Sequence, residues 1–566
     1  MKKLLLLVAF SLLVVISLLL SCVSAENNFD ILIINGKIVN GTGNPWIYGD
    51  IGITGDTIVA IGDLSGSTAA KTIDARGLVV SPGFIDIHTH CDNFFGNPDT
   101  NANLNYLIQG TTTVVTGNCG SGTYKIAETK AKCEEQGIGT NVIMYVGSGT
   151  VRREVIKEEQ SRPVTPEELE EMKSIIRQAM KEGAWGMSAG VEYYDRCATI
   201  EELIELTKVV GEFGGIYDPH IREESLSLVE AIEESIRIGE ATGVRVNTAH
   251  FKATGKKAWG LLKEATGVIN EARARGVYIT VDMYPYNKTT VGTLISKAIR
   301  VPKDMQPLAE LSNKMRNRNL TDTEREELRE QYLGELVKAL SDESKRKQIK
   351  ETSLVGYPGD PSPVAMWRWD NYTIVSSKKN TELVGKIISD IADEQKRDPF
   401  EIVADLIIDE RDDVYASSGA MSHDDMKYAM KQDWLMFSSD GSAAPLIKSG
   451  DKPRPGHPRA FGSQTRVLRK WVREEKVLTL ENAIRKMTSL AAHTLQIKDR
   501  GLLLKGYKAD IVIFDSETVR DNATYMDSHQ YSTGVEYVII NGEISVENSK
   551  YNGGLKGKVL LLTENK

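Results

Sequence analysis

The chain has 566 residues, 41% hydrophobic and 26% charged, with a formal net charge of -9. This is ordinary globular composition, long enough for a large core and a second domain. The acidic balance argues against nucleic acid as the main partner, and the runs Glu167–Glu171 and Lys345–Lys350 are short enough to be solvated helix faces.

The N-terminus reads as a targeting segment over residues 1–25. Lys2 and Lys3 precede an apolar run, Leu4–Leu20, and then "SCVSAEN". Two cuts fit. Val23-Ser24-Ala25 offers small residues before Glu26, and "LLSC" (Leu19–Cys22) resembles a lipobox that would leave Cys22 lipidated. The apolar run is long for a cleaved signal and short for a full span of about 20 residues, so an uncleaved anchor stays open. The mature protein is expected to be exported: periplasmic, secreted, or tethered as a lipoprotein, with no other membrane contact.

Residues 30–80 hold short alternating runs, with turn signals at Asn35-Gly36 and Gly55-Asp56. The style returns in "ADIVIFD" (Ala509–Asp515) and in Val535–Asn548, where Asn541-Gly542 marks a hairpin. These patterns predict a small β-sandwich built from both termini, residues 26–82 plus 497–566. Between them, eight apolar stretches alternate with helical patterns: Phe84–His90, Thr111–Gly117, Asn141–Gly147, Ala184–Gly190, Gly215–Ile221, Val244–Phe251, Val277–Tyr284 and Trp434–Asp440. Thr165–Gly183 is a typical helix, with an N-cap threonine, a proline at the first turn, early acids and a terminal glycine; Thr199–Gly215 and Ser227–Gly243 follow the same plan. The alternation predicts an α/β fold, a (β/α)8 TIM barrel over residues 83–496, with a subdomain inserted at about 288–433 between strands seven and eight.

The barrel gives the polar residues a meaning, because active sites of such barrels lie at strand C-termini. His88 and His90 close strand one, Cys119 follows strand two, His220 closes strand five, His250 strand six and Asp440 strand eight. Four of only eight histidines fall at such ends. Residues two apart on a strand face one side, roughly 6–7 Å apart, so His88 and His90 can converge on one ion while Cys91 alternates away. Imidazole, thiolate and carboxylate together suit zinc. Apart from Cys22, the cysteines are Cys91, Cys119, Cys133 and Cys197, irregularly spaced; one disulfide is open, but each also reads as a small buried hydrophobe.

The motifs "SPGFIDIHTH", "QGTTTVVTGNCG", "GGIYDPHIREE", "NTAHFKATG", "VDMYPY", "SSDG", "GHPRAFG" and the tail from Ala483 to Asp515 carry a resemblance to the amidohydrolase superfamily. More narrowly the chain resembles the D-aminoacylase (N-acyl-D-amino-acid deacylase) family, from about Asp30 to Val546. Strand four, "AWGMSAG", has no lysine to bridge metals, and Cys119 stands in for it. The resemblance implies a tight zinc on Cys119, His220 and His250. It also implies a second, weaker position framed by His88, His90 and Asp440, with Asp440 as general base and then acid. It implies that Lys252, with Tyr284 and Tyr193 or Tyr194, binds the substrate carboxylate. The implied reaction is hydrolysis of N-acyl-D-amino acids, small molecules, to a carboxylate and a D-amino acid. Hydrolysis of cyclic amides, a dipeptidase acting before a D-residue, and a non-catalytic surface lipoprotein remain the alternatives. Arg222 reads as either a site residue or an ion-pair partner, His457 as a lid residue, His529 as structural, and Arg300 as a partner for an acidic side chain. Ser148 replaces a histidine frequent in the family, and "SAG" in strand four replaces the usual "STG".

Overall fold

A computed structural model describes residues 28–157, 162–315, 320–357, 360–445 and 453–565. The N-terminal targeting segment lies outside the described residues. Among those described, no helix is long and apolar enough to cross a membrane.

Eight parallel strands form the centre: β1 (Phe84–Asp86), β2 (Thr111–Thr116), β3 (Asn141–Met144 continued by Val146–Gly147), β4 (Gly186–Gly190), β5 (Ile216–His220), β6 (Arg245–Thr248), β7 (Ile279–Met283) and β8 (Leu435–Phe437). Each pairs in parallel with the next, from Asp86↔Val114 round to Met283↔Phe437. The ring closes where Asp440 N donates to His88 O (2.9 Å) and His90 N to Gly441 O (2.7 Å). This is the barrel expected from the alternation. Its strands are nearly all buried on both faces, which explains their continuous apolar character.

The connecting helices follow from local sequence. Helix α1 (Pro166–Lys181) starts at a capping box in which Thr165 and Glu168 satisfy each other's backbone donors, with proline at its first turn. Helix α2 (Ile200–Gly211) is capped by Thr199, and α3 (Leu228–Thr242) ends on Gly243 in the left-handed region at φ 69°. Met172, Ile176, Ala179 and Met180 of α1 pack on the barrel wall. Each such large side chain contributes about 1.5–3 kcal/mol by leaving water.

The strands from both ends of the chain join in one nine-stranded sheet. Val79–Pro82 pairs antiparallel with Ile511–Phe514, linking the two halves. Strand Asn28–Ile38 pairs first with Thr68–Asp74 and then with Val79–Pro82, bending the sheet so that Ile33, Ile51 and Ile73 share a core with Ile511, Ile513 and Ile539. Asn541 and Gly542 make the expected hairpin turn, both at positive φ. Asn35-Gly36 is not the turn its sequence indicates. It is a bulge inside a continuous strand, with Asn35 at φ 61° tied to Asp50 and Asp74.

One segment departs from the expected division. Val559–Leu560 leaves the small sheet and pairs in parallel with the start of β3 (Val559↔Val142), ahead of the residues through which β3 pairs with β4. A buried polar network holds it: Asn141 Oδ1 accepts from Lys558 N and from Asn541 Nδ2, and Asn141 Nδ2 donates to Asp510.

Between β7 and β8 the chain builds its own apolar core around Leu336, Leu340, Phe400, Val403 and Ile407. A three-stranded antiparallel sheet of Thr290–Thr293, Tyr415–Ser418 and Thr373–Ser376 roots it beside the barrel mouth.

Candidate active site

The strand C-termini surround a cavity of about 350 Å³, into which Cys119, His220, His250, Asp440 and Lys252 open. Cys119 Sγ lies 3.5 Å from His88 Nε2, 3.6 Å from His220 Nδ1 and 3.7 Å from His250 Nε2. His90 Nε2 stands 3.2 Å from Asp440 Oδ1, and His88 Nε2 3.8 Å from the same oxygen. All six residues expected to surround a metal are therefore brought together.

Three of them pay no heed to strand geometry. Cys119 (φ 52°), His250 (φ 35°) and Asp440 (φ 50°) adopt the left-handed backbone region. That costs a non-glycine residue on the order of 1–2 kcal/mol, and it turns each side chain inward just where its strand ends. The reason expected for Cys91 also changes. β1 stops at Asp86, so strand alternation no longer applies; Cys91 opens a short 3-10 turn and is buried with its Sγ towards Asn103.

The donors fit a metal. Glu192 Oε2 lies 2.7 Å from His220 Nε2 and Glu224 Oε1 2.7 Å from His250 Nδ1, so each carboxylate can accept a hydrogen bond from the N–H of its ring. The lone pairs left on His220 Nδ1 and His250 Nε2 then face each other at 2.9 Å beside Cys119 Sγ. Zinc bonds of about 2.0–2.3 Å place tetrahedral donors about 3.3–3.6 Å apart, close to this arrangement. Burial drives His88 well below the ordinary imidazole range and His250 down to about 4, keeping both neutral and ligand-competent. Burial, reinforced by Asp440 and Asp218, pushes the Cys119 thiol well up. A divalent cation bound by Cys119 would favour the thiolate over the thiol.

The rest of the site is polarised. Burial works against the charge on Asp440, but Arg459 and His90 outweigh it and hold the carboxyl well below its usual range. The Arg459 contact is direct, Nη1 to Oδ2 at 2.7 Å. Lys252 is buried, yet Glu224 at 2.6 Å keeps its pKa above the ordinary value. Tyr284 is buried with its hydroxyl unpartnered. Below His88, burial raises Asp86 to about 7 and Asp282 to about 6, and Asn247 Nδ2 bridges Asp218 and Asp282.

Residues 71–202 and 382–546 match the model of the amidohydrolase family. A D-aminoacylase of Alcaligenes xylosoxydans xylosoxydans is 30% identical over 95% of this chain and 99% of its own length. The chain belongs to the D-aminoacylase family of amidohydrolases. An N-acyl-D-aspartate deacylase of the same organism is 29% identical over 94% of this chain and 95% of its own. The solved N-acyl-D-glutamate deacylase of Bordetella bronchiseptica, bound to zinc and a phosphonate mimic of the tetrahedral intermediate, superposes with a TM-score of 0.70 at 27% identity. That match covers 94% of this chain and 100% of the other.

Within this D-aminoacylase-family site the remaining residues sort cleanly. Tyr193 and Tyr194 line the cavity, Tyr193 with its ring 4.4 Å from that of His220 and Tyr194 beneath Arg153. Arg222 is structural: it holds Glu234 through two bonds of 2.8 Å and caps the carbonyls of Arg196 and Ala198. His457 ties the loop before Arg459 to the start of the inserted domain. It bonds Lys288 O and accepts from Arg459 N, which sets the turn that presents Arg459. His529 packs on Phe461, and Arg300 turns to its neighbour's carbonyl, away from the cavity lining. Ser148 bonds Asp195 at 2.6 Å, a packing role behind β4. Among the described residues Cys91, Cys119, Cys133 and Cys197 are all free.

Sequence reasoning missed Glu192, Glu224 and Arg459. Glu192 precedes the tyrosine pair, and Glu224 ends the "HIREE" stretch four residues after His220. An acid on the loop just beyond a strand-end histidine is a signal that could have found Glu224; Glu192 follows a strand that ends in glycine, and nothing in its local sequence marks it.

Proposed function

We propose that this enzyme hydrolyses the amide bond of N-acyl-D-amino acids with zinc as cofactor, releasing a carboxylate and a D-amino acid. The observation that carries the reading is the convergence of Cys119 Sγ, His220 Nδ1 and His250 Nε2 beside a buried lysine, arginine and tyrosine. Cys119, His220 and His250 would hold the tight zinc, and His88, His90 and Asp440 would frame a weaker second position. Bound there, zinc supplies a Lewis acid for the amide carbonyl and a water of lowered pKa.

The chain's own groups do the rest. Arg459 on Oδ2 keeps Asp440 ionised, leaving Oδ1 to take the proton of the attacking water. The same Oδ1 then returns a proton to the amide nitrogen, which leaves as a neutral amine. Lys252, Arg459 and the free hydroxyl of Tyr284 hold the substrate's α-carboxylate, and Tyr193 and Tyr194 wall the cavity opposite. The preference for the D-series is supported by the family relationship.

Purified protein assayed against N-acetyl-D-amino acids, their L-enantiomers and cyclic amides, with zinc measured by inductively coupled plasma mass spectrometry, tests this reading. Cleavage of the D-series at about one tight zinc per chain is expected. Cleavage of cyclic amides alone, or a preference for L-substrates, refutes it. We further propose export, supported by Lys2, Lys3 and the run Leu4–Leu20. N-terminal mass analysis should find Glu26 or lipidated Cys22 first, and an intact Met1 in the cytoplasm contradicts it.

A further inference from the structure

A residue in the left-handed region stays there only if its surroundings over-determine it. Two aspartates beneath the metal-facing side chains do this for His250 and for the segment that ends in Asp440. Asp282, in β7, holds the peptides on both sides of His250. Its Oδ1 accepts from His250 N at 3.0 Å, and its backbone carbonyl accepts from Phe251 N at 2.7 Å. The same Oδ1 accepts from Ser438 Oγ at 2.6 Å, just ahead of Asp440. Asn247 Nδ2 donates to Oδ2 at 3.0 Å and fixes the carboxylate plane.

Asp86, the last residue of β1, repeats the arrangement on the other side of β8. Its Oδ1 accepts from Ser439 N at 3.0 Å and from His88 N at 3.3 Å. Gln464 Nε2 donates to its Oδ2 at 3.3 Å. Both aspartates are fully buried. Burying a carboxylate is costly, and an apolar side chain would fill either place without that cost, so packing does not account for them. Their use lies in the backbone N–H groups that need acceptors where the strand ladder has ended.

We propose that Asp282 and Asp86 are positioning residues, each tying the backbone of a metal-facing histidine to the end of β8, so that Asp440 is held in fixed relation to His250 and His88. This rests on the zinc reading above. Ser438→Ala removes one bond to Asp282 and alters no metal-facing side chain. It should lower kcat about tenfold, with KM within about threefold and the tight-zinc Kd within about twofold of the parent. Asp282→Asn keeps one acceptor but sets its amide against that of Asn247. Its zinc Kd, read by chelator competition, should rise about tenfold, and its kcat should fall about 100-fold. Cobalt(II)-loaded protein gives a readout independent of turnover: the sulfur-to-cobalt and d–d absorption should shift in Asp282→Asn and stay in place in Ser438→Ala. Asp86→Asn keeps an acceptor for both amides, so it should recover about tenfold or more of the kcat lost in Asp86→Ala.

If Ser438→Ala and Asp282→Asn keep kcat and zinc Kd within about twofold and the parent's cobalt spectrum, even with a lowered Tm, the inference fails. Should Asp282→Asn not fold, Ser438→Ala decides alone. Asp86→Asn no better than Asp86→Ala removes Asp86 from the pair. A parent without stoichiometric zinc overturns this inference and the zinc reading together. A zinc-binding parent that turns over no D-substrate sinks the deacylase reading and leaves this one to the zinc and cobalt readouts.

Discussion

Glu224 touches two parts of the machinery with one oxygen, so replacing it by glutamine separates charge from shape. Oε1 lies 2.7 Å from His250 Nδ1 and 2.6 Å from Lys252 Nζ. Glu224→Gln keeps an acceptor there and removes the charge. A hydrogen bond to a charged partner is worth about 1.5–3 kcal/mol and a neutral one about 0.5–1.5, so His250 should lose about 1–2 kcal/mol of support as a ligand. That corresponds to a zinc Kd raised about tenfold, and Glu224→Ala should approach about 100-fold. Lys252 is buried and loses its compensating charge at the same time, so KM should rise as well. Competition with a chromophoric zinc chelator gives the first quantity directly and does not depend on turnover. If both variants bind zinc within about twofold of the parent, Glu224 does not orient His250 and the reasoning fails.

Asp440→Asn should lower kcat by about 10²–10⁴-fold with the tight zinc retained, and a loss below about tenfold would remove Asp440 from proton transfer. Cys119→Ala should abolish stoichiometric zinc with unchanged far-ultraviolet circular dichroism, and unaltered zinc content would show the donor set to be wrong. Glu410 accepts from Ser377 Oγ, Lys378 N, Lys379 N, Asn380 N and Asn380 Nδ2, and although burial opposes its charge, these bonds bring its pKa down from 4.5 to about 2. Because the folded pKa is the lower one, the stabilisation is complete above pH 4.5 and is lost as the pH falls towards about 2. Glu410→Ala should cost about 2–3 kcal/mol in urea unfolding at neutral pH, a difference that shrinks below pH 4; a gap independent of pH would contradict the assignment.

The barrel was legible because its strands are short apolar runs, and five of the eight end in or are followed by a histidine, cysteine or aspartate that faces the cavity. The ends were less legible for a physical reason. Strand six reads as Val244–Phe251 but stops at Thr248, and strand eight reads as Trp434–Asp440 but stops at Phe437. In both, the backbone leaves the strand to bring His250 or Asp440 round at positive φ. Five of the six candidate ligands stood out because histidine and cysteine are scarce, and Asp440 stood out by its place at the end of strand eight. Glu192, Glu224 and Arg459 did not, because glutamate and arginine on loops look like solvated charge until a structure shows what they face. The inserted domain was the least readable part. Its core joins Leu336, Phe400 and Ala416 from separate helices and strands, so no single window carries its pattern. Asn35-Gly36 misled because a bulge and a hairpin turn demand the same left-handed residue.

The strand Val559–Leu560 bears on how the molecule can be divided. Lys558 bonds Asn141 across 417 positions of chain, so the start of β3 is paired from far downstream. The barrel is therefore not an autonomous module with a small sheet attached. A fragment covering residues 83–496 would keep the β3–β4 pairing at Val146–Gly147 but leave the backbone of Val142 and Ile143 without its partner strand. Because Asn141 of β3 is bonded to Asp510, Asn541 and Lys558, the small sheet and the barrel share a buried polar network, and calorimetry should show them melting in one transition.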